Sequence, residues 1–165
     1  MRSRVVLTLF AALVTSLALR AEGGFEATPA PAWQLPDVDG RAVSSDLLKG
    51  KVVVLDFWAT WCPPCRAEIP GYVELQKKYH HEGLAIVGVS LDRGGPGVVS
   101  RFIADHRINY QVVLGDDKIV EAFGGIDAIP TTFIIDRQGV VRYRKVGAMP
   151  AGAFEAVLAR ILKQP

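Results

Sequence analysis

Between Lys51 and Ala59 the chain reads KVVVLDFWA, an apolar run interrupted only by Asp56 after its opening lysine. Its first half is β-branched. Such a run fits a strand covered on both faces, as in a parallel sheet under helices. Three residues further on come the only two cysteines of the chain, Cys62 and Cys65, with Pro63 and Pro64 between them. From Pro63 the pattern turns helical: Ile69, Tyr72, Val73, Gln76 and Tyr79 share one face. Pro70 is expected to kink this helix, and His80–Gly83 to end it. A buried strand that hands a cysteine pair to a helix start constrains both the fold and the chemistry.

The rest of the chain repeats this alternation. LAIVGVSLD (84–92) predicts a second buried strand, and Pro96 suits the first turn of a helix carrying Val99, Phe102, Ile103 and His106. A short strand over 110–116 and a short helix over 117–123 follow, the helix stopped by Gly124-Gly125. TTFIID and VVRYRKV predict two antiparallel strands joined at Arg137-Gln138-Gly139, and Phe154, Val157, Leu158, Ile161 and Leu162 an amphipathic terminal helix. This is an α/β order, implying a mixed central sheet flanked by helices. Ahead of it, Asp39-Gly40 between Val38 and Val43 signals a β-hairpin, and Ser45 is placed to cap a helical turn over 46–49. Residues 22–32, rich in Gly, Ala and Pro, read as a flexible linker. One domain is expected over 33–165.

The N-terminus has its own character. Arg2 and Arg4 precede an apolar run from Val5 to Leu19, followed by small residues. That is the layout of a secretory signal peptide over 1–21, and the run is shorter than the roughly 18–20 residues a spanning helix needs. An uncleaved anchor is the alternative. Either way the domain is expected outside the cytoplasm, periplasmic or otherwise extracytoplasmic, touching a membrane only through this segment. Three of the 19 Lys and Arg lie in 1–21, whereas all 17 Asp and Glu follow it, so the net charge turns from +2 to −1 once the leader is set aside. Nothing in that balance points to nucleic acid. Arg142, Arg144 and Lys145 read as a solvated strand face.

The cysteine pair has three chemical readings. A Cys-x-x-Cys disulfide closes too short a loop to stabilise much. A metal site wants about four ligands. The three histidines, His80, His81 and His106, are remote in sequence, so no metal is expected, although a copper metallochaperone remains the alternative. Thiol–disulfide exchange fits best. A sulfur at a helix N-terminus meets unsatisfied N–H groups and a partial positive charge, which lower its pKa. Cys62 is then the attacking thiolate. Cys65, one turn on and expected to be more buried, resolves the mixed disulfide. Asp56, in an apolar strand six residues before Cys62, should have a raised pKa and trade protons; a merely hydrogen-bonded strand acid is the other reading. A peroxidatic reading, Pro-x-x-x-Thr-x-x-Cys, is met poorly, since Thr60 stands two residues before Cys62 and not three.

With these residues in view, DFWATWCPPC resembles the active-site strand and motif of the thioredoxin superfamily. The hairpin, WCPPC and the later IPTTFIIDRQG resemble its exported TlpA/ResA-like branch, over about residues 33–163. The resemblance implies a thioredoxin-like fold, with an extra β-α unit inserted over about 91–116. It implies a cis bond before Pro130, facing the cysteines, with Ile129 offering its backbone to a substrate chain. Trp61 and Pro63 would complete that substrate-facing surface. Trp58 reads as core. Asp56 matches thioredoxin's buried aspartate, where many TlpA/ResA-like proteins carry Asn. Glu68 matches an active-site glutamate of the branch, against the plainer reading of an exposed first-turn acid. The segment between Phe123 and Pro130 departs from the branch by one added residue. Pro63 and Pro64 offer no hydrogen-bond donor to the thiolate, which favours a reducing protein. The expected partners are disulfide-bearing exported proteins, apocytochrome c among the candidates. A membrane thiol-electron transporter would be the reductant. The only redox centre expected is the Cys62–Cys65 disulfide, without a bound cofactor.

Overall fold

The apolar run KVVVLDFWA forms β4, Val52–Trp58, and all seven of its residues are buried. The computed structural model describes residues 27–164; the expected leader and the start of the expected linker lie outside the described residues. β4 pairs parallel with β5 (Leu84–Ser90) and antiparallel with β7 (Thr131–Ile135). β6 (Gln111–Leu114) extends the parallel side and β8 (Val140–Val146) the antiparallel side. Beyond β8 lies β1 (Thr28–Pro29), giving six strands in the order β1-β8-β7-β4-β5-β6. Part of the segment expected as linker is therefore strand. Ala30 N–H extends the pairing to the Gly139 carbonyl at 2.8 Å. Proline is tolerated in β1 because an edge strand leaves one side of its backbone unpaired.

β2 (Gln34–Pro36) and β3 (Ala42–Ser44) form the expected hairpin as a separate two-stranded sheet, with Gly40 at φ 80° in its turn. Ser45 does not cap the helical turn that follows. It is the first residue of the turn, Ser45–Leu48, and its Oγ accepts from Trp33 N–H at 3.2 Å.

The helices are α1 (Pro63–Tyr79), α2 (Pro96–Asp105), α3 (Asp117–Ala122) and α4 (Ala151–Leu162). α1 continues through Pro70, and its buried face is Cys65, Ile69, Tyr72 and Leu75; Val73 and Gln76 are only half-buried. The segment expected as an inserted unit is α2 followed by β6. One face of the sheet packs on α1 and α4 through Val52, Val54, Ile86 and Ile134. The other packs on α3 and the hairpin through Val53, Leu55, Phe57, Phe133 and Ile135.

Two irregularities set up the site. The register of β7 and β8 shifts between Ile134, opposite Tyr143, and Ile135, opposite Val141. Arg142 is the extra residue, a β-bulge that reverses which face the rest of β8 presents. Gly88 of β5 stands opposite Asp56 and makes room for an indole: a Cβ there would come within 2.8 Å of Trp58 Nε1. Through the cross-strand register, Asp56, Thr132 and Lys145 fall in one row across β4, β7 and β8. All three are buried.

Candidate active site

β4 ends at Trp58, and four residues, Ala59 to Cys62, carry the chain over to α1. Thr60 is the anchor of that crossing. Its N–H and hydroxyl both donate to the Asp92 carboxylate, at 2.9 and 2.5 Å, and Ser90 Oγ donates to the same group at 2.8 Å. Cys62 is the N-cap residue of α1, with φ −91° and ψ 106°. Its sulfur is bonded to Cys65 Sγ, S–S 2.09 Å, with the two Cα atoms 5.3 Å apart. Cys65 N–H donates to Cys62 Sγ at 3.3 Å. Pro63 and Pro64 fill the first two helical positions and carry no N–H, so the Cys65 amide is the first of the helix able to reach that sulfur. Cys62 and Cys65 are almost equally covered, 3% and 2% exposed, so the expected difference in burial is absent in this oxidised form. Beside them Trp61 is 65% exposed.

The Ile129-Pro130 peptide bond is cis, and the Ile129 carbonyl oxygen lies 3.8 Å from Cys62 Sγ. Pro130 is buried, and its own carbonyl accepts from Gly147 N–H at 2.8 Å. Thr131 Oγ1 donates to the Ala128 carbonyl at 2.6 Å, bracing the same turn. The backbone beside Cys62 is thus an edge of fixed shape, next to an exposed indole and the exposed Pro63.

Asp56 lies on the α1 side of β4. Burial pushes its pKa up to about 7; the hydrogen bond donated by Thr132 Oγ1 at 2.7 Å and the Lys145 charge act against that rise, and the Glu68 charge adds to it. Thr132 Oγ1 in turn meets Tyr72 Oη at 3.2 Å. An acid in this state is half-ionised near neutrality, which is what a proton donor and acceptor for a thiol requires.

Glu68 is neither exposed nor directed at the cysteines. Its carboxylate is buried and accepts from Lys145 Nζ at 2.6 and 2.8 Å and from Met149 N–H at 2.9 Å. Lys145 also departs from its expected place on a solvated face. It is 5% exposed, because the bulge at Arg142 turns it and Tyr143 toward α1 and α4. Arg142 stays outside, paired with Asp136, and Arg144 stands over the Phe133 ring at 5.6 Å. Among the described residues neither Asp56 nor Glu68 hydrogen-bonds to a cysteine; their nearness to each other and to Lys145 is electrostatic.

Thr132, Tyr72, Lys145 and Asp92 were not anticipated. Thr132 and Lys145 carry a readable signal, since both are polar positions inside predicted strands. The three histidines are exposed: His80 and His81 lie against each other with their rings tilted by 44° at the end of α1, and His106 stacks on Phe102. Trp58 is core, tilted against Phe102 at 5.3 Å.

The AhpC/TSA family model matches residues 27–144. The chain belongs to the AhpC/TSA family. It is 34% identical over 171 residues to the thiol-disulfide oxidoreductase ResA of Oceanobacillus iheyensis, covering 99% of this chain and 88% of the relative. With ResA of Bacillus subtilis it shares 35% over 124 residues, 75% of this chain and 69% of that one. Among solved structures, a thiol:disulfide interchange protein of the thioredoxin family from Chlorobium tepidum superposes with a TM-score of 0.76 at 36% identity, covering 84% of this chain and 98% of that one. The fold is thioredoxin-like, and this AhpC/TSA-family chain is a thiol–disulfide oxidoreductase with Cys62–Cys65 as its redox pair.

Proposed function

We propose that the chain works outside the cytoplasm as a reductase of disulfides in exported proteins. The observation that carries this reading is the position of Cys62: an N-cap sulfur beside the Ile129 carbonyl, with Cys65 already within bonding reach. In the reduced protein the Cys62 thiolate attacks one sulfur of a substrate disulfide and expels the other as a thiolate. Cys65, deprotonated, then attacks Cys62 Sγ, the substrate sulfur bonded to Cys62 leaves as a thiolate, and the Cys62–Cys65 disulfide remains. Two electrons pass to the substrate and one disulfide replaces another. Asp56 takes the Cys65 proton in the second step. Trp61, Pro63, Ile129 and Pro130 form the surface on which the substrate chain rests. Glu68 acts on that surface through what it holds and not by contact with sulfur.

The reducing direction rests on the two prolines. The Cys62 thiolate has one helical amide in reach where a helix start without prolines would offer more, so the reduced form gains less stabilisation than in a strong oxidant. The disulfide would be recharged by a membrane thiol-electron transporter, and haem-binding cysteines of apocytochrome c are among its candidate substrates. A peroxidatic role is disfavoured by Thr60, whose hydroxyl is engaged by Asp92.

Trapping tests the reading. Cys65→Ala, expressed with its leader in the native organism, should hold exported proteins as mixed disulfides on Cys62, identified by mass spectrometry. If Cys62→Ala traps partners and Cys65→Ala does not, attacker and resolver are reversed. A reduction potential near the about −120 mV of strong periplasmic oxidants would overturn the direction. Tight one-to-one Cu(I) binding without reductase activity would reassign the pair to metal transfer.

A further inference from the structure

Lys145 uses all three of its ammonium protons. Two go to the Glu68 carboxylate, at 2.6 and 2.8 Å, and one to the Gly147 carbonyl at 3.0 Å. Glu68 belongs to α1, six residues after Cys62. Gly147 in turn donates its N–H to the Pro130 carbonyl at 2.8 Å, and the residue before Pro130 presents its own carbonyl 3.8 Å from Cys62 Sγ. The contacts close a ring: Cys62, α1, Glu68, Lys145, Gly147, Pro130, Ile129, and back to Cys62. Glu68 also accepts from Met149 N–H at 2.9 Å, and Tyr72 of α1 meets Thr132 Oγ1 at 3.2 Å, but Lys145 is the side chain that carries the connection to Gly147 and so to the Pro130 carbonyl.

Stability alone does not account for the pair. Removing two charges from water costs several kcal/mol per ion, and apolar residues of similar size at such sites are commonly as stable or more so. The surroundings would accept one: Phe154 is buried beside Lys145, its ring centroid 5.7 Å from the ammonium. What a buried, fully bonded lysine supplies that a methionine cannot is direction.

We propose that Lys145 is a positioning residue for disulfide exchange. Through Glu68 and Gly147 it fixes α1 against the Ile129-Pro130 turn and so sets the gap in which a substrate chain lies beside Cys62. The inference rests on the exchange reading above. It predicts that Lys145 matters in proportion to how much of the substrate occupies that gap.

The test compares two substrates of the reduced full chain: a peptide carrying one disulfide, and hydroxyethyl disulfide, which is too small to fill the gap. The informative variant is K145M/E68Q, which removes both charges of the pair and should melt near the wild type. The ratio of the peptide rate constant to the small-disulfide rate constant should fall about tenfold or more, through KM more than kcat. A ratio kept within about twofold in a folded double variant overturns the proposal. In the wild type, whatever the variant does, the Gly147 amide should exchange with solvent at least about a hundredfold more slowly than an unstructured amide. Rapid exchange there removes the bridge and overturns the proposal too. A wild type inert toward both disulfides would sink the exchange reading itself, and this one with it. An active wild type with an unmoved ratio sinks only the role of Lys145.

Discussion

The face of the central sheet under α3 and the hairpin carries Val53, Leu55, Phe57, Phe133 and Ile135; the face under α1 and α4 carries Asp56, Thr132 and Lys145 among Val52, Val54 and Ile134. Both faces come from the same strands, with neighbouring residues pointing opposite ways. The first holds the fold by apolar burial and ring contacts, Phe57 meeting Phe123 at 5.6 Å and Phe133 at 5.9 Å. The second gives up stability to keep an acid near neutrality and a buried ion pair behind the disulfide. The fold can support such a face because the other one is dry.

That contrast predicts opposite responses to substitution. Phe57→Ala should be the most damaging change, costing about 3–5 kcal/mol in denaturant unfolding, with the exchange rate of the folded fraction retained. Asp56→Asn should do the reverse. Because the folded acid titrates near 7 and the unfolded one near 3.8, the native state holds the proton longer, and wild-type stability falls as pH rises through that window. The Asn variant should therefore be more stable than wild type by about 2–4 kcal/mol above pH 7, with the advantage vanishing toward pH 4. Its mixed disulfides should resolve more slowly. Equal stability of the two proteins at pH 8 would show that burial does not raise the Asp56 pKa.

Smaller effects probe the seam between the faces. Gly88→Ala would press a methyl group on Trp58 Nε1 and should cost about 1–3 kcal/mol, read by thermal melting. Thr132→Val removes the hydroxyl that donates to Asp56 and should cost about 1 kcal/mol. It should also move the Asp56 titration further up, since that hydrogen bond opposes the effect of burial. A titration unmoved, or moved down, in a folded Thr132→Val protein would take Thr132 out of the acid's environment.

The strands, helices and cysteine pair were legible because each has a strong local signature: β-branched runs, proline at helix starts, glycine at helix ends. Asp56 was legible as a charge out of place in an apolar run. Glu68 is marked as a site residue only by the family resemblance, and Lys145 reads as solvated because lysine usually is. Alternation alone sets Lys145 apart from Arg142 and Arg144 and on the side of Val141; the bulge at Arg142 moves it to the opposite side, facing α1 and α4. With Lys145 read among the solvated arginines, Glu68 has no visible partner, and the plainer reading of an exposed helix acid stands beside the active-site one. The pairing of Thr28 and Pro29 with β8 was hidden differently, because an edge strand this short carries no periodicity.

The bulge at Arg142 works as a change of reading frame in the middle of one strand. Before it, β8 spells out a residue for the dry core, Val141; after it, the same alternation spells out Tyr143 and Lys145 for the reactive side. Deleting that single codon would make Val141 and Tyr143 direct neighbours opposite Ile135 and Ile134, a regular ladder that keeps both the hydrophobic seat of Val141 and the buried seat of Lys145. Keeping Arg142 but pairing it regularly is what would force Val141 and Lys145 onto one face, so an arginine that touches neither cysteine lets its neighbours serve both sides of the molecule by staying out of the ladder.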